Sequence, residues 1–265
     1  MRHFKNFKTC VYCTAQTLAS LDETTLARDY AYLEKYVGID KVYLETYRDG
    51  TWVAIDHMKM IQNFFKEHGV EIAGGITTVT PPLEKDDAKR QRLFQTFCYS
   101  NEAMRTYLKK IVTYTAELFD EIILDDFFFT SCTCDDCLRE RNNLSWAEFR
   151  SKKMIDVAEN LVLKPAKLAN PSVKVTIKYP NWRESYHETG YVPKTQPSMF
   201  DKIYTGTETR NTAHTDQHLP RYLSYSIMRY MEHVAPGRNG GGWFDTYSCW
   251  PIDCYLEQGY LTALS

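Results

Sequence analysis

Short apolar runs alternate with amphipathic segments along most of the chain. Seven runs rich in β-branched and aromatic residues predict strands, and the segments between most of them repeat apolar residues at helical spacing. The predicted strands cover residues 7–15, 41–46, 70–76, 121–126, 173–179, 202–206 and 240–245. Because no two-residue hairpin is predicted between successive runs, and the segment 47–50 is interpreted as a loop, the order is typical of parallel βαβ units.

Several of the predicted helices have recognisable ends. Asp22 is placed to cap a helix that Gly38 terminates, and Ser145 with Glu148 forms a capping-box pattern before a helix that runs to about residue 169. The other predicted helices cover residues 54–68, 102–119, 222–233 and 253–264. Helices in these positions would cover the outside of a parallel sheet.

The chain length of 265 residues suits one (β/α)8 barrel or one doubly wound domain. Polar residues follow several predicted strands, whereas an open sheet concentrates them at its switch point, so the barrel is favoured. We therefore predict an α/β fold of the (β/α)8 TIM type, forming a single catalytic domain over residues 1–265. Only seven strands are predicted, so we expect the eighth to lie beyond a truncated C-terminal end, or the barrel to be open or closed by another chain.

Composition excludes some classes of partner. The net charge is −2, which gives no reason to expect nucleic acid, and no apolar run approaches the roughly 20 residues of a membrane span. No G-x-G-x-x-G or P-loop follows a strand, which removes the common nucleotide-binding classes. The first five residues lack the apolar core of a signal peptide, which favours the cytoplasm. The 19 Tyr and 5 Trp suit a cleft that stacks on sugar rings.

The stretch 121–137 concentrates the candidate chemistry. Its apolar run ends in Asp125 and Asp126, and because side chains alternate along a strand, both can face a cleft only where the chain has bent into a loop. Crowding of like charges would raise the proton affinity of one carboxyl. A protonated acid could then donate to a leaving oxygen while an ionised one stabilises positive charge, as glycosidic cleavage requires. The alternative is that one of the two caps a helix or anchors the loop.

Other ionisable residues stand at the carboxyl ends of the predicted strands, which a barrel gathers at one rim. They are Glu45, Arg48, Lys178, Glu208, Arg210 and Asp245. Any single one could cap a helix or pair with a neighbour, but together they predict a substrate site. With Asp126 as acid/base, Glu208 could serve as nucleophile or base, kept ionised by Arg210. A carboxyl separation of about 5 Å would give retention, and about 6.5–9.5 Å inversion.

Aromatic residues near these positions are candidates for stacking on a pyranose. Trp182 follows the fifth predicted strand, Trp243 belongs to the seventh, and Tyr99 precedes the third helix. The alternative for each is packing in the core or within a loop.

A buried strand ending in Asp125-Asp126 inside a (β/α)8 pattern resembles glycoside hydrolases of the O-GlcNAcase and related hexosaminidase type. The resemblance implies that Asp125 orients a substrate 2-acetamido group as internal nucleophile and that Asp126 is the general acid. Over most of its length the chain also resembles uncharacterised glycosyl-hydrolase-like barrels in which Leu-Asp-Asp precedes a cysteine cluster. The residues 127–137 do not belong to the O-GlcNAcase pattern, so the two-carboxylate mechanism with Glu208 stays equally open.

Cys132, Cys134 and Cys137 form a C-x-C-x2-C pattern. They could bind a structural zinc ion, with the fourth ligand supplied by a distant Cys or by a histidine. The candidate histidines are His187, His214 and His218. A disulfide that pins the loop, or simple buried thiols, are the alternatives. We expect no other cofactor.

Our prediction is an O-glycoside hydrolase acting on an oligosaccharide or glycoconjugate. Two rival hypotheses remain: a carbohydrate-binding barrel or structural module without turnover, and a metal-assisted hydrolase or lyase that uses Glu45, Asp126, Glu208 and a histidine. A homo-oligomer or an additional domain would be compatible with each of them.

Overall fold

The structure is a computed structural model that describes residues 4–79, 89–211, 213–214, 217 and 219–265. The candidate ligand His218 lies outside these ranges, and so does most of the charged segment 81–92, for which the sequence predicts a loop.

One sheet organises the described part of the chain. Its strands are β1 (Cys10–Cys13), β2 (Lys41–Arg48), β3 (Thr51–Trp52), β4 (Glu71–Ile76), β5 (Glu121–Leu124), β6 (Lys174–Tyr179), β7 (Lys202–Gly206) and β8 (Asn239–Trp243). The spatial order is β1-β2-β4-β5-β6-β7-β8, every neighbouring pair on this path is parallel, and β3 pairs with β2 off the path. The predicted α/β class and parallel order are confirmed.

The sheet curls into a barrel that is open along one seam. Tyr12 of β1 contacts Trp243 of β8 with ring centroids 4.9 Å apart. Across the interior, the hydroxyl of Tyr43 on β2 lies 3.2 Å from that of Tyr204 on β7. Within the described ranges β1 and β8 are the two ends of the strand order and do not pair with each other. The result is an open TIM-type barrel of seven parallel strands, which is one of the arrangements that we expected from the seven predicted strands.

Helices cover the outside of the sheet. They are α1 (Ala15–Ser20), α2 (Glu23–Tyr36), α3 (Ile55–Glu67), α4 (Glu102–Leu118), α5 (Asp135–Arg141), α6 (Trp146–Val157), α7 (Lys164–Ala169), α8 (Tyr186–Thr189), α9 (Gln196–Met199), α10 (Leu223–Val234) and α11 (Asp253–Ala263), with a π-helical segment Ala158–Leu163 joining α6 to α7. Both predicted N-terminal caps are confirmed, because Asp22 and Ser145 each form a capping box. None of the helices in the described ranges has both the length and the apolar character that a membrane crossing requires.

Alternation along the strands separates two apolar layers. Outward-facing residues such as Val42, Leu44 and Ile122 pack against the helices in the larger cluster. Inward-facing Tyr43 and Ile123 fill the barrel, in a smaller cluster. The cluster is completed by Ala73, Tyr12, Tyr204 and Trp243. This inner plug closes the middle of the barrel and leaves the carboxyl ends of the strands to form the site.

The prediction that the chain has no two-residue hairpin is wrong. The strand β2 continues to Arg48, and Asp49-Gly50 turns it into β3, with Tyr47 opposite Trp52 and Arg48 opposite Thr51. Both turn residues have positive φ, 51° and 76°, which a two-residue hairpin turn of this type requires and Asp-Gly supplies. The hairpin matters because it fixes Arg48 at the end of β2, beside the site.

Candidate active site

The chain bends where β5 ends, and the bend presents two acids to the same side. Leu124 is the last strand residue. The amide of Asp125 still donates to the Ile76 carbonyl at 3.0 Å, but the amide of Phe128 turns back to the Asp125 carbonyl at 3.0 Å. The Asp126 amide donates to Asp125 Oδ1 at 2.8 Å. The condition that both adjacent carboxylates face the cleft is therefore met.

A single buried ammonium group gathers three of the predicted carboxylates. Lys178 lies near the end of β6, and its side chain is 2% exposed. Its Nζ is 2.9 Å from Asp126 Oδ2, 3.2 Å from Glu208 Oε1 and 3.4 Å from Asp125 Oδ1. The same Nζ stands over the Trp243 ring, 4.5 Å from its centroid. Lys178 is therefore the centre of the acid cluster.

A second cation links Asp125 to a fully buried acid on β2. Arg48 Nη2 donates to Asp125 Oδ2 at 2.9 Å, and Arg48 Nε lies 2.9 and 3.0 Å from the two oxygens of Glu45. Glu45 also accepts from the Tyr12 hydroxyl at 2.5 Å, from the Ala15 amide at 2.7 Å and from the Thr77 hydroxyl. Because Glu45 has so many protein partners, its role is to hold Arg48 in place.

Glu208 lies just beyond β7 and folds back over the strand. A Cβ on Gly206 would stand 2.6 Å from Glu208 Oε2 and 2.9 Å from the Asn181 backbone nitrogen, so the glycine leaves the space in which the Glu208 carboxylate lies. The Asn181 side-chain amide donates to the Glu208 carbonyl at 2.7 Å and fixes the backbone. While Oε1 accepts from Lys178, the buried Oε2 has no hydrogen-bond partner among the residues that the structure describes.

Charge in the cluster is unbalanced, and the pKa values of the adjacent acids move apart. Burial opposes ionisation of Asp125, but the charges of Lys178 and Arg48 outweigh it and lower the pKa of Asp125. Burial raises the pKa of Asp126, and the negative charges of Asp125 and Glu208 add to that effect against the pull of Lys178. Burial alone would lower the pKa of Lys178, yet the three carboxylates raise it, so the ammonium stays charged.

Arg210 and Asp245 meet at the same rim but form their own pair. Arg210 Nη1 lies 2.6 Å from Asp245 Oδ1 and 2.8 Å from the Tyr247 carbonyl. The close contact of Glu208 is with Lys178, while Arg210 interacts with Glu208 through charge at longer range, so the hypothesis that Arg210 helps to keep Glu208 ionised stays a prediction. The Asp245 side chain is 42% exposed, which leaves it open to a ligand at the mouth of the barrel.

The three predicted stacking residues have different surroundings. Trp243 stands half-buried between Tyr12 and Lys178, where it supports the ammonium. Trp182 is half-buried, with its ring 5.4 Å from that of Phe129 in an edge-on contact. Tyr99 corrects the prediction: it is 1% exposed and packs on Phe128, so it is a core residue and offers no face to a sugar.

Several site residues escaped the sequence analysis. Thr77 follows β4 and Asn181 follows β6, so the rule that polar residues at strand ends form the site could have found both. Tyr12 points into the barrel from β1, which strand alternation could have shown. Gln258 on α11 accepts from the amides of Thr209 and Arg210 at 3.1 and 3.0 Å. No local pattern marks that glutamine, because its partners are about fifty residues away in the chain.

The cysteine cluster and the acid cluster are separate groups. Cys132, Cys134 and Cys137 lie together with Cys98, and in the described ranges His187 and His214 do not join them. Nor do Glu45, Asp126 and Glu208 converge with a histidine in a group that could hold an ion, within the same ranges. Asp126 and Glu208 instead share contacts with Lys178 Nζ, at 2.9 and 3.2 Å.

Comparisons with known proteins agree with the fold and the candidate chemistry. A family model described as "Probable glycosyl hydrolase, catalytic domain" matches residues 1–265. The chain is 31% identical over 288 residues to the uncharacterised protein SSO3021 of Saccharolobus solfataricus, an alignment that covers 98% of this chain and 47% of that protein. The chain thus spans about half the length of this curated relative.

Solved structures share the fold at low sequence identity. A cold-adapted β-galactosidase from Rahnella sp. R3 superposes with a TM-score of 0.61 at 12% identity, over 88% of this chain and 44% of that one. The spore cortex-lytic enzyme SleL of Bacillus cereus gives 0.51 at 13% identity, over 91% of this chain and 51% of that one. Neither comparison bears on the hexosaminidase-type roles of Asp125 and Asp126, which stay a prediction.

Proposed function

Since the chain belongs to the family of probable glycosyl hydrolase catalytic domains, we propose that it hydrolyses O-glycosidic bonds by carboxylate acid/base catalysis at the carboxyl ends of its strands. The observation that carries the proposal is the contact of Lys178 Nζ with Asp125, Asp126 and Glu208. Neighbouring carboxyls whose pKa values are moved apart can divide the roles of proton donor and ionised partner.

Asp126 is the general acid in this proposal. Its pKa is raised, so it keeps its proton to higher pH than an ordinary aspartate. Its side chain is also the most exposed of the three carboxylates around Lys178, at 19%, so it can reach a glycosidic oxygen. Asp125 stays ionised and positions both Lys178 and Arg48.

Glu208 is the nucleophile, because one of its oxygens is free of hydrogen bonds in the described part of the chain. Asp126 Oδ2 and Glu208 Oε1 contact the same nitrogen at 2.9 and 3.2 Å, so these two oxygens are at most 6.1 Å apart, the sum of the two contacts. One nitrogen that contacts both carboxyls is compatible with the ~5–5.5 Å separation of retaining enzymes, which place no water between the two groups, unlike inverting enzymes at ~6.5–9.5 Å. We therefore propose retention through a glycosyl-enzyme.

Access to Glu208 requires a change when a sugar binds. The side chain is 1% exposed. The Gln217 side-chain oxygen accepts from Asn181 Nδ2 at 3.3 Å and from Arg210 Nε at 3.2 Å. Both contacts are at the long end of the hydrogen-bond range, so displacing them costs little. A saccharide that replaces Gln217 on Asn181 and Arg210 would bind next to the Glu208 backbone, which Asn181 holds, and we propose that this binding exposes the carboxylate.

Substrate assistance by a 2-acetamido group is the second candidate mechanism. It would need Asp125 to accept a hydrogen bond from the acetamido N–H. Asp125 Oδ1 already accepts from Lys178 and from the Asp126 amide, and Oδ2 accepts from Arg48. Because both oxygens are engaged, the free oxygen of Glu208 favours the two-carboxylate route.

A panel of nitrophenyl glycosides that includes N-acetylhexosaminides tests the proposal. We expect hydrolysis of at least one class, with the first-formed sugar in NMR spectra keeping the anomeric configuration of the substrate. Inversion would contradict Glu208 as nucleophile, and activity confined to N-acetylhexosaminides would favour substrate assistance. Sugar binding without hydrolysis across the panel would favour the non-catalytic barrel.

A further inference from the structure

Four cysteine thiols from two distant parts of the chain meet in one cluster. Cys132 and Cys134 lie on the segment after β5, Cys137 lies on α5, and Cys98 precedes α4. All four Sγ atoms lie within 4.8 Å of one another. Cys98 Sγ is 3.7 Å from Cys134 Sγ and 3.6 Å from Cys137 Sγ. The ligand that the C-x-C-x2-C pattern lacked is therefore supplied by Cys98.

The spacing of the sulfur atoms fits a tetrahedral metal site. Four thiolates at a Zn–S distance of ~2.3 Å place neighbouring sulfurs about 3.8 Å apart. A disulfide brings two sulfurs to ~2.05 Å. All eight cysteines of the chain are free thiols in the structure. The distances of 3.6 and 3.7 Å thus match the edge of a tetrahedron around zinc rather than a disulfide.

The chemistry of four closely packed thiols also favours a metal ion between them. Cys98, Cys132 and Cys137 are buried, and neutral thiols packed together gain only weak S–H hydrogen bonds. Four thiolates at these distances would repel one another without a cation between them. We propose that Cys98, Cys132, Cys134 and Cys137 bind a structural zinc ion. Four protein ligands leave no open position, so this ion would not take part in the reaction.

The ion would fasten the loop that carries the acid pair. The segment 126–132 connects Asp126 to Cys132, the first of the three proposed ligands that follow β5. Near Cys98, the Tyr99 hydroxyl lies 3.2 Å from Thr78 Oγ1, which in turn donates to the Phe127 carbonyl at 2.7 Å. Binding of zinc at Cys98 and Cys132 would therefore hold the Phe127 turn from both ends. The site depends on no assumption about glycoside cleavage.

Metal and thiol analysis of the purified full chain tests the proposal without any activity measurement. After reduction, loading with zinc and dialysis, we expect a single tightly held zinc ion per chain. In denaturant without reductant, all eight cysteines should then titrate as thiols once zinc is released. Failure to retain zinc, or retention of iron in its place, would overturn the assignment. Fewer free thiols in the protein as isolated would identify a disulfide instead.

Cobalt substitution with matched cysteine variants sharpens the test. Co²⁺ in the wild-type chain should give the intense visible bands of a tetrahedral tetrathiolate. The Cys98→Ser variant should lose that spectrum and its retained zinc, whereas Cys254→Ser, on α11 and outside the cluster, should keep both. An unchanged tetrathiolate spectrum in Cys98→Ser would overturn the role of Cys98. If Cys98→Ser does not fold, the cobalt spectrum and the zinc content of the wild-type chain still test whether the four cysteines bind a metal ion.

Discussion

The interior of the barrel carries charged residues at both ends, and the two ends are built differently. At the amino ends of the strands, Lys41 Nζ lies 2.6 Å from Glu121 Oε1, and the Tyr43 hydroxyl lies 3.3 Å from the same oxygen. We call this pair and Tyr43 the lower layer. At the carboxyl ends, two cations face four carboxylates; this upper layer consists of Arg48, Lys178, Glu45, Asp125, Asp126 and Glu208.

The difference lies in the balance of charge. In the lower layer one ammonium meets one carboxylate, which is a structural ion pair within the barrel. In the upper layer the excess of carboxylates moves the pKa values of Asp125 and Asp126 apart and leaves Glu208 Oε2 without a partner in the described ranges. In barrels of this type, the catalytic residues lie at the carboxyl ends of the parallel strands. The shifted pKa values of Asp125 and Asp126 are an independent reason to place the active site at that end.

Removal of the proposed nucleophile should have the largest effect. We expect Glu208→Gln to lower kcat by at least about 10⁴-fold, since loss of a covalent nucleophile removes most of the rate enhancement. In Glu208→Ala, where the shorter side chain leaves room for an anion, azide should restore turnover of a dinitrophenyl glycoside by attacking the anomeric carbon as the phenolate departs, and yield a glycosyl azide of the configuration opposite to the substrate. The control is Glu121→Gln in the lower layer, which should keep nearly full activity. Comparable losses in both variants would show that the two layers do not differ in role.

Asp126→Asn should come next, with a loss of about 10²–10⁴-fold that depends on the leaving group. A poor leaving group needs the proton that Asp126 supplies, whereas a dinitrophenolate can depart without it. The measurement is kcat/KM for a series of aryl glycosides with phenols of different acidity. A uniform loss across the series would contradict the role of general acid.

Lys178→Met should be destabilising, by about 3–5 kcal/mol, because it leaves buried carboxylates without their cation. Without Lys178 these carboxyls bind protons more tightly in the folded than in the unfolded chain, so the stability of the variant should fall further as pH rises. Urea unfolding of the variant and the wild type at two pH values gives the comparison. In the lower layer, Lys41→Met should cost less, since Glu121 is 19% exposed and can be hydrated.

The upper layer also predicts the pH dependence of activity. Because Asp126 must be protonated to act, kcat/KM should fall as pH rises through its raised pKa. The charge of Asp125 is one cause of that elevation, so Asp125→Asn should move the alkaline limb to lower pH. Glu121→Gln should leave the limb in place. An alkaline limb that does not move in Asp125→Asn would show that the two acids are not coupled.

The sequence was sufficient for the parts of this picture that depend on local pattern. Strand alternation and helix caps predicted most element boundaries, and the strand-end rule brought Glu45, Asp126 and Glu208 to one rim. The same rule also selected Lys178, although as a substrate-binding residue rather than as the cation that contacts the three acids. Such a role depends on the curvature of the sheet, which determines how far a side chain on β6 reaches towards β5 and β7.

Other features could not be predicted because they join residues far apart in the chain. Cys98 is 34 positions before Cys132 and shares no motif with it. The hydrogen bond between Arg210 and Asp245 likewise joins residues that are 35 positions apart in the chain. The Asp49-Gly50 turn is different, because its dipeptide is a strong hairpin signal and the error lay in interpreting it as an open loop.

The smallest predicted effects come from the same chemical change made at each end of the barrel. Tyr12 and Tyr43 are register partners on β1 and β2, yet the Tyr12 hydroxyl donates to Glu45 in the upper layer at 2.5 Å, while that of Tyr43 meets Tyr204 at 3.2 Å. Each hydroxyl lies within hydrogen-bond distance of a carboxylate, so Tyr12→Phe should cost about 1.5–3 kcal/mol. Tyr43→Phe should cost less, about 1–1.5 kcal/mol, because its contacts with Glu121 and Tyr204 are long, at 3.3 and 3.2 Å.

Activity should separate the two variants more clearly than stability. Loss of the Tyr12 hydroxyl releases one of the groups that hold Glu45, and through Glu45 and Arg48 it should loosen Asp125 and lower kcat several-fold. Tyr43→Phe leaves Lys41 bound to Glu121 and touches nothing in the upper layer, so its kcat should match the wild type. Urea unfolding and steady-state kinetics on both variants make the comparison. Equal effects on kcat would mean that the inner apolar cluster around Tyr43 and Ile123 transmits a structural change from the lower layer to the acids of the upper layer.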